Sequence, residues 1–273
     1  MHIIVLTKRK WITILAASIA AILLIGIAIW WLILSRDTVA AVPTMAQVEC
    51  YELQTIPYTA KEVPVYSVNR DDKVIALTID AAWDADKTAG ILDILDNHDV
   101  KATFFLCGVW VDAYPDMVKE IAARGHVIGN HSMTHPHMNR LSEEQIEQEL
   151  LSLDDRIEDL TGKRCSLFRA PFGEYNDTVV KTARRLGYEI VQWDIDSIDW
   201  KEGRSEETIL NTVVPKLKSG SIILSHNNGH HIETYLPKLI EKAQAEGYRF
   251  VTIPELLPDG EHMIDQNGVW QSK

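Results

Sequence analysis

The segment Val74-Ile-Ala-Leu-Thr-Ile-Asp-Ala-Ala-Trp83 alternates Val74, Ala76 and Thr78 with Ile75, Leu77 and Ile79 before its first charge, Asp80. Alternation with a period of two is the pattern of a strand, so Asp80 is expected at a strand's C-terminal end. Other apolar runs end in the same way. Val127-Ile-Gly129 leads into His131-Ser-Met-Thr-His135 and Pro136, and further runs close on Arg169-Ala-Pro171-Phe-Gly173, Asp196-Ser-Ile-Asp199-Trp200 and Leu224-Ser-His226. A carboxylate, an imidazole pair, an arginine, a carboxylate and an imidazole thus follow one another at strand ends, where α/β barrels build active sites. Strands are expected near 74–79, 102–106, 126–129, 166–169, 189–194, 221–225 and 249–252. Helices are expected near 87–97, 115–124, 142–160, 177–186, 205–218 and 233–246. Such alternation implies a mostly parallel sheet. Ser142-Glu143-Glu144 and Asn176-Asp177 read as helix starts, their carboxylates serving capping rather than chemistry.

His131 and His135 stand four apart, but Gly129, Pro136 and the Ser/Thr surroundings argue for a loop rather than a helix. Neutral imidazole is the commonest protein ligand for zinc and its neighbours, so the pair makes two-thirds of a divalent-metal site, with cobalt and manganese as the other candidates. Taken alone, two histidines at this spacing are more often loop residues than ligands. Cys50, Cys107 and Cys165 form an odd set without C-x-x-C spacing, which suggests neither a zinc knuckle nor a redox pair. Cys107, beside Phe104-Phe105-Leu106, reads as a small buried hydrophobe. One disulfide remains open.

With these motifs the chain resembles the polysaccharide deacetylases of carbohydrate esterase family 4, the NodB-homology domain. Thr88, Ile91-Leu-Asp-Ile-Leu95, Lys101-Ala-Thr-Phe-Phe-Leu106, Gly125-His-Val-Ile-Gly-Asn-His131 and Gly247-Tyr-Arg-Phe-Val251 extend the resemblance over residues 65–257. It implies a distorted, incomplete (β/α) barrel and metal-dependent N-deacetylation of a GlcNAc- or MurNAc-containing cell-wall polysaccharide, with peptidoglycan first. It also implies roles. Asp80 is the general base, Arg169 keeps it ionised and aimed, and His226 is the acid for the leaving amine, with Asp196 as its orienting partner. The Phe172 N–H donates to the oxyanion, and Trp200 and Leu224 line the acetyl pocket. One departure stands out: the family pairs two aspartates where this chain has Asp80-Ala81, so the usual third metal ligand is missing. Ala81-Ala82-Trp83 is similar to the variant found in the sporulation-associated branch of Gram-positive bacteria. Either Asp80 or water fills the sphere, or Asp84, Asp86 or Glu174 swings in. The departure leaves a catalytically impaired, glycan- or envelope-binding relative as the alternative function.

The 273 residues exceed the ~150 typical of one domain, yet α/β barrels often run past ~200 as one unit. From Ile12 to Leu34 the chain is apolar and uncharged, flanked by Lys8-Arg9-Lys10 and Arg36-Asp37, with Trp11, Trp30 and Trp31 near its ends. It is long enough for a ~30 Å hydrocarbon core, whereas a signal peptide has an apolar region of only ~7–15 residues. Cleavage after Ala41 or Ala46 is the alternative. The expected layout is a cytoplasmic start (1–10), a transmembrane anchor (11–34), a stalk containing Pro43, Pro57 and Pro64 (35–64), the domain (65–257) and a tail (258–273), in the cell membrane with the domain outside. All 39 acidic residues but only 23 of the 27 basic ones lie beyond Arg36, giving that part a formal charge of −16. Nucleic acid is excluded as a partner, whereas a neutral glycan is compatible.

Overall fold

The computed structural model describes residues 62–257 and 260–272; the expected anchor and nearly all of the stalk lie outside them. Its strands are β1 (Ser67–Val68), β2 (Val74–Ala81), β3 (Thr103–Leu106), β4 (Val127–Asn130), β5 (Leu167–Phe168), β6 (Glu189–Ile190), β7 (Ile195–Asp196), β8 (Ile222–His226), β9 (Arg249–Val251), β10 (His262–Ile264) and β11 (Val269–Ser272). Its helices are α1 (Thr88–Asn97), α2 (Gly108–Ala113), α3 (Pro115–Ala123), α4 (Glu143–Thr161), α5 (Asp177–Arg185), α6 (Glu206–Val213), α7 (Ile232–Ala245) and α8 (Ile253–Leu256). Among the described residues no helix is long and apolar enough to cross a membrane.

The main sheet runs β6-β5-β4-β3-β2-β8-β7, with β9 on the N-terminal half of β2, and every pairing is parallel. Parallel neighbours require long crossovers, which the helices supply, and the C-terminal strand ends therefore gather on one rim. Strands β6 and β7 end the strand order without pairing with each other, so the barrel stays open as expected. The alternation in β2 sorts its residues between two cores. Ile75, Leu77, Ile79 and Ala81 pack with Ile91, Leu95, Ile121 and Leu239 of the surrounding helices. Val74 and Ala76 turn inward with Phe105, Leu167 and Ile222. Each face is apolar enough to exclude water, and only Thr78 and Asp80 bring polar groups to the interior face. Helix α4 starts with a Ser142–Gln145 capping box and ends at Gly162 in the left-handed region, while Asn176 and Ser205 cap α5 and α6.

Several expectations need correction. The strand expected over 189–194 stops at Ile190: β6 pairs with β5, residues 191–194 cross to the other edge of the sheet, and β7 then pairs with β8. There Val65 bridges to Val191, its N–H donating to the Ile190 carbonyl and its own carbonyl accepting the Gln192 N–H. The helix expected over 205–218 ends at Val213 and tightens into a 3₁₀ turn around Pro215, which has no N–H to continue the α pattern. Helix α2 was unforeseen. The expected tail contributes β10 and β11, an antiparallel pair that joins β1 in a second, three-stranded sheet, with Trp270 buried and its ring stacked on His262.

Candidate active site

The register of β2 with β8 sets Asp80 directly beside His226. Behind Asp80 lies Arg169, just past β5 and fully buried. Its Nη1 donates to Asp80 Oδ1 at 2.7 Å and to Thr78 Oγ1 at 2.8 Å, its Nε to the Val191 carbonyl at 3.2 Å and its Nη2 to the Gln192 carbonyl at 3.0 Å. The guanidinium also lies over the Phe105 ring, 4.1 Å from its centroid. Burial alone would raise the Asp80 carboxyl. The charge and hydrogen bond of the Arg169 guanidinium, helped by His226, outweigh it and hold the group below its ordinary value.

His131 follows β4, and its Nδ1 lies 2.8 Å from the Arg169 carbonyl. A carbonyl only accepts, so Nδ1 carries the proton and the neutral ring has a bare Nε2. That nitrogen faces Asp80 Oδ2 at 3.6 Å, an acceptor opposite an acceptor. Burial keeps His131 below its ordinary pKa and lowers His135 to about 4, so both rings are neutral and able to ligate. The loop bearing them is tied down at each step. Asn130 accepts from the Ser132 N–H and donates to the Leu150 carbonyl and Asp154, and Glu149 takes both the N–H and the hydroxyl of Thr134.

His226 shows where the sequence reading missed. Its Nδ1 pairs with Asp199 Oδ1 at 2.7 Å, not with Asp196. Asp199 is fully buried, and its Oδ2 also accepts the His226 N–H at 3.0 Å and the Tyr235 hydroxyl at 2.7 Å. A Cβ on Gly229 would come within 2.1 Å of that oxygen, so glycine is required beside it. Burial alone would lower the His226 pKa, but the bond to Asp199 and the nearby carboxylates raise it. Asp196, spent on the Ile198 N–H at 2.7 Å, has its own pKa raised by burial. Asp199 and Asp196 flank a short loop, and only the fold shows which one turns back.

These groups line a cavity of about 460 Å³. Asp80, His131, His135, Asp196 and His226 meet Phe172, Trp200 and Leu224 there, while Arg169 stands behind the wall. Phe172 sits in the left-handed region (φ 59°), its ring stacked on His137, whose Nδ1 pairs with Glu174 at 2.8 Å. Glu174 is thus committed elsewhere, and neither it nor Asp84 nor Asp86 lines the cavity. Ala81 is buried in the helix-side core, Ala82 packs against that core and borders the cavity, and Trp83 lines the cavity. Among the described residues no three His, Cys, Asp or Glu side chains form a complete metal-ligand group. The two neutral imidazoles and the bare Nε2 opposite Asp80 nonetheless fit a cation held by two protein nitrogens.

Residues 67–191 match the family model of polysaccharide deacetylase. A peptidoglycan-N-acetylglucosamine deacetylase of Bacillus cereus is 39% identical over 186 residues, covering 67% of each chain. The solved structure of BA3943 from Bacillus anthracis, described as a carbohydrate esterase family 4 pseudoenzyme, superposes with a TM-score of 0.69 at 36% identity, over 72% of this chain and 69% of that one. A BA3943 mutant described as having restored enzymatic activity superposes equally, with a TM-score of 0.69 at 37% identity over 72% of each chain. Curled sheet, strand-end site and sequence agree: the chain belongs to the polysaccharide deacetylase family of carbohydrate esterases.

Proposed function

We propose that this chain is an N-deacetylase of a peptidoglycan-type glycan, its domain held outside the cell membrane by residues 11–34. One observation carries the activity: Asp80 and His226 lie side by side facing one cavity, each with its own buried partner, Arg169 and Asp199. Core packing asks for neither pair, since buried charges stabilise little or nothing by themselves. In this reading Asp80, kept ionised by Arg169, takes the proton of the attacking water. His226, kept basic by Asp199, delivers a proton to the departing amine nitrogen. The Phe172 N–H donates to the developing oxyanion, and Trp200 and Leu224 receive the acetyl methyl. A zinc ion, or cobalt or manganese, would be held by His131 and His135 and would polarise the acyl oxygen.

The same family position occupied by Ala81 favours a second reading, a glycan-binding relative without turnover, as the likeness to the BA3943 pseudoenzyme suggests. Acetate release from peptidoglycan and chitooligosaccharides, with and without each metal, separates the two. Release that depends on added metal is expected. Glycan binding without acetate under every condition would leave only the second reading. For the anchor, N-terminal sequencing of the mature protein should find Lys8 to Lys10 retained, and a start near Val42 or Gln47 would remove it.

A further inference from the structure

Three large aromatic side chains at the cavity are more than half exposed: Trp83 (56%), Phe172 (56%) and Trp200 (58%). Phe172 and Trp200 have roles in the reaction as read above, and Trp83 has none. A large ring left open to water at a cavity's edge offers contact surface rather than core packing. Its loop is fixed from beneath. The Asp84 carbonyl accepts Nε1 of Trp110 at 2.6 Å and Nδ2 of Asn227, and Asp84 itself is held in the left-handed region at φ 48°. The indole packs edge to face with His135, ring centroids 4.8 Å apart at 70°. One side of the ring is thereby anchored while more than half of the residue stays open.

Trp83 follows β2 and Trp200 follows β7, with β8 between them. Two strand spacings of roughly 4.8 Å set the two strand ends about 10 Å apart, so the two indoles rise from separate positions along the rim of the cavity. The geometry points to Trp83 as a stacking platform for the pyranose next in the chain to the one being deacetylated. This rests on the deacetylase reading and deepens it, because it assigns Trp83 the grip on a second sugar of the glycan chain. A pyranose with equatorial substituents presents a face of C–H bonds to the electron-rich face of an indole. That contact needs no charge on the ligand.

Calorimetric titration of the purified full chain with chitotetraose and with N-acetylglucosamine, in EDTA so that nothing turns over, tests the platform. Trp83→Ala should weaken chitotetraose binding about tenfold and N-acetylglucosamine binding less than about twofold. Trp83→Phe should recover most of the loss. Equal losses for the two sugars, or none for the tetramer, would overturn the platform. So would a Phe variant as weak as the Ala variant, since the indole would then be serving His135 alone. Wild-type chain that binds neither sugar and releases no acetate would sink the deacetylase reading as well. Acetate release from monomer and tetramer with equal efficiency would remove only the platform.

Discussion

Asp80 is the residue on which both chemistry and stability converge. Among the described residues its carboxylate is the one acid hydrogen-bonded to the fully buried Arg169, so Asp80→Asn removes the base and also leaves a guanidinium without its counter-charge. Turnover should fall on the order of 10²–10⁴-fold, as for loss of a general base. The melting temperature should fall too, since stranding one partner of a buried pair costs roughly 3–5 kcal/mol. Acetate release and thermal unfolding on the same variant check the two effects, and unchanged turnover would exclude Asp80 as the base. At this scale the sequence was most legible. Residues fixed by a strand end, namely Asp80, His131, Arg169 and His226, gather around or behind the cavity as expected. Asp199 escaped because its direction depends on a loop, and Tyr235 because it reaches Asp199 from a helix far along the chain. The requirement for glycine at position 229, visible only in three dimensions, was the remaining clue.

The alternation of strand β2 decides what the departure at Ala81 means. Within β2 the odd-numbered side chains from Ile75 to Ala81 enter the helix-side core while Val74 and Ala76 face the barrel interior, and just past the strand end Ala82 packs against that same core and also borders the cavity. A carboxylate introduced by Ala81→Asp would be buried without a partner, and unfolding in urea should show a loss of more than about 3 kcal/mol. Ala82→Asp, at a half-buried position that borders the cavity, should cost less stability than Ala81→Asp and tighten zinc binding by adding an anionic donor beside His131 and His135. An Ala81→Asp chain as stable as wild type with tighter zinc binding would mean that the strand end rearranges, and would sink this assignment of faces. Long elements such as α4 and α7 were legible because many turns repeat the same apolar period. The two-residue strands β5, β6 and β7 carry no period at all, and the split of residues 189–196 between opposite edges follows from the curl of the whole sheet.

Over the whole molecule, buried neutral histidines tie stability to pH. His126 is 6% exposed, its Nδ1 accepts the Ala102 N–H at 3.2 Å, and its Nε2 is buried without a hydrogen-bond partner among the described residues. Its ring meets Phe104 edge to face. Burial, reinforced by Lys101 and Arg124 and opposed by Asp96, lowers its pKa to about 4, and His135 is lowered to about 4 as well. For a base whose folded pKa lies below the unfolded value near ~6.5, the unfolded chain binds the proton first. The stability held by the neutral ring is therefore complete above about pH 6.5 and drains away as pH falls toward 4. His226 has the opposite sign. Its raised pKa adds stability below the unfolded value, which is lost as pH climbs through the folded one. Acidification also relieves repulsion within a domain that is strongly acidic overall, so the raw melting curve mixes several trends. His126→Asn isolates one of them, because it offers a short side-chain acceptor in place of Nδ1 and does not titrate. Between pH 7 and 4.5 the wild-type melting temperature should fall by several degrees more than that of His126→Asn. Parallel pH dependences in the two proteins would show that His126 reaches solvent and takes up its proton without unfolding.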